Sequence, residues 1–170
     1  MTDAEIRAQQ DLLSRTALTV FRLNGQFLAR SEELAKPAGL TAAWWQVLGA
    51  VLREPSPSSP SRGGPMPVAG IARAMGITRQ SVQRVADLLV REGLAAYAPN
   101  PAHRRAKLLR PTDEGRAAVA RIEPGHAEFA GWLAAALGEE QFAETVRVLE
   151  RLSEVLDTGA DPGAEPVTEP

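Results

Sequence analysis

The sequence predicts a mainly α-helical fold that contains one small two-stranded hairpin. Three patterns point to this class. Apolar residues recur at three- and four-residue spacing over long stretches, a glycine-centred turn separates two such stretches, and short strand-like segments around a proline-bounded turn follow directly. The chain has 170 residues, of which 44% are hydrophobic, so it can bury a core.

Residues 1–40 are predicted to form one long helix and the turn that closes it. Thr2 or Asp3 can cap the helix, because a side-chain oxygen there accepts a free backbone N–H of the first turn. The helix runs to about Leu34, and Gly25 weakens it without ending it.

A second helix is predicted to begin after Thr41 and to reach about Arg53. The next residues, 54–67, are rich in proline, serine and glycine. Such a segment buries too little apolar area to fold alone, so we expect a mobile loop there.

The segment from Val68 to Leu94 predicts two short helices joined by a tight turn. Gly76 ends the first helix, since glycine accepts the left-handed conformation of such a turn, and Thr78 caps the second. Small Ala72 lets the helices cross closely, which predicts a helix-turn-helix. The residues expected on the buried side are Ile71, Ala72, Met75, Ile77, Val82, Val85, Ala86 and Leu89.

The second of these helices carries a polar face. Arginine and glutamine side chains can make paired hydrogen bonds to guanine and adenine edges in the major groove of DNA. A helical hairpin that binds nothing is the alternative at this point. The residues expected to contact DNA here are Thr78, Arg79, Gln80, Gln83 and Arg84.

A short strand at Leu94–Ala98, a proline-bounded turn and a return strand at Arg104–Arg110 are predicted next. Long cationic side chains on such a hairpin can reach phosphates or enter the minor groove. Residues 41–111 are therefore predicted to form a winged helix-turn-helix, with a solvated basic loop as the alternative to a wing. The cationic residues of the hairpin are His103, Arg104, Arg105, Lys107 and Arg110.

Residues 112–157 are predicted to form C-terminal helices. Thr112 caps a helix that reaches about Leu137 and is kinked or split near Pro124, and a last helix follows. Residues 158–170 are acidic and rich in proline and glycine, so they are predicted to be disordered.

The N- and C-terminal helices carry more apolar surface than packing on one small domain requires. We therefore expect a homodimer in which helices from both ends of both chains associate, with the N- and C-terminal helices as dimerisation helices. Two such subunits would place two recognition helices about one DNA turn apart. A monomer, with these helices packed only on the winged region, is the alternative.

The charge is distributed unevenly along the chain. The net charge is −2, yet Ser61 to Arg110 contains nine Lys or Arg against two acidic residues, a net of +7. From Pro111 onwards the net is −9. A basic island that coincides with the predicted helix-turn-helix and wing favours double-stranded DNA as the partner.

Several classes of protein are disfavoured. The chain has no cysteine, which excludes disulfides, thiol catalysis and cysteine-ligated zinc. It has neither a long apolar run nor a signal segment, so we expect a cytoplasmic protein that binds no membrane. The sequence contains no nucleophile elbow, no cluster of residues with metal-ligand spacing and no phosphate-binding loop. We therefore expect that the protein is not an enzyme and has neither a metal site nor a cofactor. A winged-helix module that binds protein instead of DNA is the alternative function.

Three segments resemble the multiple-antibiotic-resistance regulator (MarR) family of bacterial winged-helix transcription factors, and the resemblance runs from about Ala4 to Leu156. LTAAWWQVLGAV resembles the helix before the DNA-binding motif, and ARAMGITRQSVQRVADLLVREGL resembles the helix-turn-helix. NPAHRRAKLLRPTDEG resembles the wing, with Arg104 and Arg105 at the basic tip positions; His103 and Asn100 stand where acidic residues are usual.

This resemblance implies a dimeric, sequence-specific DNA-binding regulator. It further implies a repressor that a small aromatic or phenolic ligand releases from a pseudo-palindromic operator. The ligand would bind between the dimerisation helices and the winged region, where Phe27, Trp44 and Trp45 are candidate lining residues. Core packing is the alternative role for these aromatic side chains, above all for Trp45.

Overall fold

The computed structural model describes residues 2–53, 64–103 and 105–158. Its helices are α1 (Asp3–Ala35), α2 (Ala42–Leu52), α3 (Val68–Met75), α4 (Arg79–Arg91), α5 (Asp113–Ala120), α6 (Glu123–Leu137) and α7 (Glu139–Asp157), with a 3₁₀ turn at Lys36–Ala38. Its strands are β1 (Met66–Pro67), β2 (Ala95–Ala98) and β3 (Leu108–Pro111). The chain divides into two compact units, and the boundary in sequence falls between Pro124 and Gly125.

Side-chain caps fix the starts of α1 and α2. The Glu5 N–H donates to Thr2 Oγ1 at 3.3 Å, and the Thr2 N–H donates to Glu5 Oε2 at 2.6 Å, a reciprocal capping box. Thr41 Oγ1 accepts an N–H of the first turn of α2 at 3.2 Å. Glu32 of α1 accepts the Ala42 N–H at 2.6 Å, which ties the end of α1 to the start of α2. The predicted starts of both helices are confirmed.

The strands form one antiparallel sheet in the order β1-β3-β2. Tyr97 of β2 and Met66 of β1 both lie opposite Leu109 of β3, which is fully buried. The mainly helical fold with a β2–β3 hairpin is confirmed. The sheet has one strand more than predicted.

Two predicted boundaries around the sheet are wrong. The return strand begins at Leu108 and not at Arg104, because backbone groups of the connection close turns, as in the bond from the Ala106 N–H to the His103 oxygen (3.1 Å). Met66–Pro67 forms β1, although residues 54–67 were expected to be a loop. Strand β1 pairs with the free edge of β3, and the composition of residues 54–67 alone does not reveal this pairing. A proline is tolerated there because β1 is an edge strand. Residues 54–63 lie outside the described residues.

The core lies where α2, α3, α4, β3 and α5 meet, and the predicted buried faces of α3 and α4 are largely confirmed. Met75 and Val85 are half-buried instead of fully buried. Ile77 is 44% exposed, so its predicted role as a plug between the helices is wrong. The buried members of these elements are Val47, Leu48, Val51, Val68, Ile71, Ala72, Val82, Ala86, Leu89, Leu109 and Ala118.

The predicted long helix after Thr112 is split in two. The break falls at Arg121 and Ile122, and the Ile122 side chain is buried in the core. Pro124 lies in the first turn of α6, where a missing backbone N–H removes no helical hydrogen bond. The proline therefore begins a helix instead of kinking one.

Two of the helices expose apolar faces. Helix α1 buries only Ala35, and helix α7 buries no residue. None of the described helices has the length and apolarity needed to cross a lipid bilayer. The exposed large apolar residues of these two helices are Leu12, Leu13, Leu18, Val20, Phe21, Phe27 and Leu28 on α1, and Val146, Val148, Leu149, Val155 and Leu156 on α7.

Candidate DNA-binding site

The turn between α3 and α4 has the predicted geometry. Gly76 has a φ of 62°, in the left-handed region, and its N–H donates to the Arg73 oxygen at 3.3 Å. Thr78 Oγ1 accepts the Ser81 N–H at 3.2 Å and lies 2.9 Å from the Ser81 hydroxyl. These bonds close the end of α3 and cap the start of α4, with both hydroxyl groups at the first turn of α4.

The outer face of α4 carries free cations. Arg79, Gln80 and Arg84 are exposed. Gln80 and Arg84 lie on the side of the helix opposite the buried Val82 and Ala86, and Arg79 is the first residue of the helix. Among the described residues, the side chains of Arg79 and Arg84 have no ion-pair partner within 4.0 Å. Both guanidinium groups are thus available to a phosphate or a guanine edge.

Gln83 differs from its neighbours on α4, because it is half-buried and already hydrogen-bonded. Its Nε2 donates to Asp87 Oδ1 at 2.9 Å and to the Tyr97 hydroxyl at 2.8 Å. The Tyr97 hydroxyl in turn donates to Asp87 Oδ1 at 2.7 Å. These three side chains, here called the helix–wing triad, join the recognition helix α4 to strand β2.

Sequence reasoning missed Asp87 and Tyr97 as members of the site, although two signals were present. Asp87 lies four residues after Gln83, a spacing at which a glutamine and an aspartate on one helix face can hydrogen-bond. Tyr97 is the only tyrosine in the chain and lies among alanines on β2. The pairing of the two across α4 and β2 was not visible without the fold.

The wing connection between β2 and β3 is shaped by turns and carries cations. Asn100 Oδ1 accepts the Ala102 N–H at 3.0 Å, and the Asn100 oxygen accepts the His103 N–H at 3.2 Å. Arg105 and Lys107 are exposed, with Lys107 Nζ 6.0 Å from the centre of the Tyr97 ring. Arg104 lies outside the described residues.

Comparison with known proteins identifies the family. A family model described as MarR family matches residues 38–106, which include α2, the helix-turn-helix and most of the wing. The chain belongs to the MarR family. It is also 39% identical over 112 residues to the uncharacterized protein Rv2011c of Mycobacterium tuberculosis, a match that covers 66% of this chain and 71% of that protein.

Solved structures of MarR-type regulators have the same fold. The transcriptional regulator MosR of Mycobacterium tuberculosis, in a complex with DNA, has a TM-score of 0.66 at 20% identity and covers 85% of this chain and 97% of its own. BpsR of Bordetella bronchiseptica, from a study of regulation of its DNA binding by 6-hydroxynicotinic acid, has a TM-score of 0.65 at 23% identity and covers 81% and 91%. These structures show that the chain has a winged-helix fold. Its membership of the MarR family makes it a DNA-binding transcriptional regulator.

The predicted ligand-lining aromatic residues lie on α1 and α2 of this MarR-family chain. Trp44 and Trp45 are half-buried and pack against the core, which is consistent with the structural role considered for them. Phe27 is 50% exposed on α1. All three rings keep accessible surface, and their role in binding a ligand stays a prediction. Within the described ranges, no group of three or more His, Asp or Glu residues is placed to hold a metal ion.

The helix–wing triad predicts a pH dependence of stability at alkaline pH. Burial raises the pKa of Tyr97 from 10.0 to about 12, helped by the hydrogen bond to Asp87 and by the charge of that carboxylate. The folded state holds this proton more tightly than the unfolded chain, so the stabilisation is complete below pH 10 and is lost as the pH rises to about 12.

We expect the free energy of unfolding to fall more steeply across this range in the wild type than in Tyr97→Phe. Urea denaturation at several pH values measures both slopes. Equal slopes in the two proteins would show that the Tyr97 hydroxyl does not titrate differently in the folded and unfolded states.

Proposed function

We propose that this MarR-family chain acts as a homodimeric transcriptional repressor that binds a pseudo-palindromic operator in double-stranded DNA. We further propose that a small aromatic or phenolic acid releases it from DNA. The observation that carries the DNA-binding part is the exposed, unpaired cationic face of α4 beside a cationic wing. A helix of this kind can enter a major groove, with cationic side chains beside it on the flanking phosphates.

Helix α4 and the wing have different proposed roles. The exposed α4 residues would read base edges or adjacent phosphates, and the wing would hold the backbone or enter the minor groove. MosR, which has a similar fold, is found in a complex with DNA, and this supports DNA as the partner. The proposed DNA contacts are Thr78, Arg79, Gln80, Gln83 and Arg84 on α4, and Arg104, Arg105 and Lys107 on the wing.

A second copy of this chain is the proposed partner of the apolar faces of α1 and α7. Helix α1 has 33 residues with a single buried side chain, so it gains little stability within one subunit. Burial of its apolar residues against another subunit would supply the missing packing, and a two-fold axis would present two recognition helices to two half-sites.

The proposed effector site uses Phe27, Trp44 and Trp45, whose rings can stack on an aromatic ligand. The association of BpsR with 6-hydroxynicotinic acid supports an aromatic acid as the class to test. Addition of hydroxylated benzoates and nicotinates to a preformed protein–DNA complex would test it. Release of DNA by an acid in the wild type, and not in Trp44→Ala, is the expected result.

The first experiment measures fluorescence anisotropy of the protein on labelled duplex DNA from upstream of its own gene. A scrambled duplex of equal length is the control, and salt is varied. We expect binding to the native duplex only, with about six to ten phosphate contacts giving a slope of roughly −5 to −9 in log K against log salt. No salt-dependent binding to either duplex at low salt would favour the protein-binding module instead.

Arg105→Ala tests the contribution of the wing. We expect weaker binding to all duplexes and a salt slope that is smaller by about one, because one phosphate contact is lost. Arg151→Ala on α7 removes the same charge far along the chain in the acidic region and should leave affinity and slope unchanged. Unchanged affinity in Arg105→Ala would remove this residue from the DNA contacts.

Repression itself is tested with a reporter gene placed behind the bound DNA. Deletion of the regulator should raise expression, and the effector acid should raise it in the wild type. Lower expression after deletion would instead identify an activator.

A further inference from the structure

The hydrogen bonds of the helix–wing triad fix the orientation of the Gln83 amide. A carboxylate only accepts hydrogen bonds, so the Gln83 atom 2.9 Å from Asp87 Oδ1 must be the NH₂ nitrogen. The Tyr97 hydroxyl uses its own hydrogen on the same Asp87 oxygen, and it therefore accepts from Gln83 Nε2. The amide nitrogen of Gln83 is therefore directed toward two acceptors inside the protein, Asp87 and Tyr97.

The triad is held by the fold on both sides. Asp87 lies one turn after Gln83 on α4, whose opposite face is buried in the core. Tyr97 is set by strand pairing opposite the fully buried Leu109. The Tyr97 hydroxyl is protonated at neutral pH, as in any tyrosine, and it donates to Asp87 Oδ1 at 2.7 Å. Lys107 Nζ lies over the Tyr97 ring, 6.0 Å from its centre.

An unrestrained glutamine reads adenine with two bonds, using one N–H and the carbonyl oxygen. In this chain the amide nitrogen is directed toward Asp87 and Tyr97, and among the described residues none donates to Gln83 Oε1. The group left for DNA is a single acceptor. In the major groove, adenine N6 and cytosine N4 are the donors that such an acceptor can bind.

We propose that Asp87 and Tyr97 act as positioning residues that make Gln83 a single-acceptor reader, selecting adenine or cytosine instead of adenine alone at one position of each half-site. This inference rests on the proposed function, since it requires α4 to lie in the major groove. It replaces the two-bond contact to adenine that the residue type alone suggests.

The test is selection of bound sequences from a pool of random DNA duplexes, followed by sequencing, for the wild type and variants. Gln83→Ala identifies the position, because base preference is lost there only. At that position the wild type is expected to accept adenine and cytosine within about threefold of each other and to reject guanine and thymine by about tenfold. Tyr97→Phe frees one amide hydrogen and should shift the preference to adenine over cytosine by about tenfold.

A second variant and a control distinguish a change in base preference from a general disturbance of the wing. Asp87→Ala also frees one or both amide hydrogens of Gln83 and should give the same shift toward adenine. Glu92→Ala removes an exposed carboxylate just after α4 and should leave the selected sequence unchanged. A wing role limited to packing would lower affinity for all sequences in Tyr97→Phe without a new base preference, and that result would overturn the inference.

The failures of the two proposals are distinguishable. If the wild type selects no sequence at all, the proposed function is wrong and this inference falls with it. If the wild type selects a defined sequence but prefers adenine alone at the Gln83 position, or if Gln83→Ala changes no position, only the single-acceptor reading is overturned. Thermal melting of each variant confirms that it is folded before selection.

Discussion

Replacement of Gly115 by alanine is expected to destabilise the winged region by about 3 kcal/mol or more. The reason is a close approach of two backbones, since a Cβ at this position would overlap the carbonyl oxygen of Leu94. That oxygen accepts the Thr112 N–H at 3.1 Å, so it cannot move away without losing a hydrogen bond. Relief of the overlap would require α5 to separate from the start of β2.

The surrounding bonds explain why this joint is rigid. Thr112 Oγ1 donates to the Gly93 oxygen at 2.7 Å and accepts the Gly115 N–H at 3.1 Å. One threonine therefore caps α5 and holds it to the turn after α4. A shift of α5 would break both bonds at once and disturb the core around Ala118, which is 1% exposed.

Urea denaturation and thermal melting of Gly115→Ala measure the effect. The matched control is Gly49→Ala in the middle of α2, where a Cβ meets nothing within 4 Å. There we expect stability unchanged or raised by up to about 1 kcal/mol, because alanine favours the helix. A melting temperature of Gly115→Ala within about 2 °C of the wild type would contradict the predicted overlap.

The second large effect is expected on assembly. Phe21 is 72% exposed on the apolar face of α1, and we propose that a second subunit covers it. In Phe21→Glu, a carboxylate would be placed in that interface without a partner, at a cost of several kcal/mol. The dimer should dissociate at micromolar concentration, and DNA affinity should fall by about 100-fold or more, since one half-site contact no longer assists the other.

Analytical ultracentrifugation and anisotropy on the native duplex read out the two effects. Gln26→Glu is the control, because it adds the same charge to an exposed position of α1 away from the apolar face. It should remain dimeric and bind DNA as the wild type does. A Phe21→Glu protein that sediments as the wild type does would place the dimer interface elsewhere, and a monomeric wild type would refute the homodimer.

The local features of the fold could be predicted from the sequence. The sequence indicates Thr41, Thr78 and Thr112 as helix caps and Gly76 as a left-handed turn, and the structure confirms all four. For α1 the sequence leaves Thr2 or Asp3 as the cap, and the structure has Thr2. These features depend on a few neighbouring residues and on spacing along one helix, which the sequence displays directly. The same applies to the exposed polar face of α4, since the period of its apolar residues determines which side is buried.

Contacts between distant segments were decided by the tertiary structure. Strand β1 exists because β3 offers it an edge, and Ile77 is exposed because other side chains fill the space between α3 and α4. Gln83 looked like a free base-reading residue, yet strand pairing brings Tyr97 to its amide. The sequence thus determined the family, the helices and the cationic surface of this protein. The tertiary structure decided which hydrogen-bonding atoms on that surface remain free, because the residues that bond to one another there lie far apart in the chain.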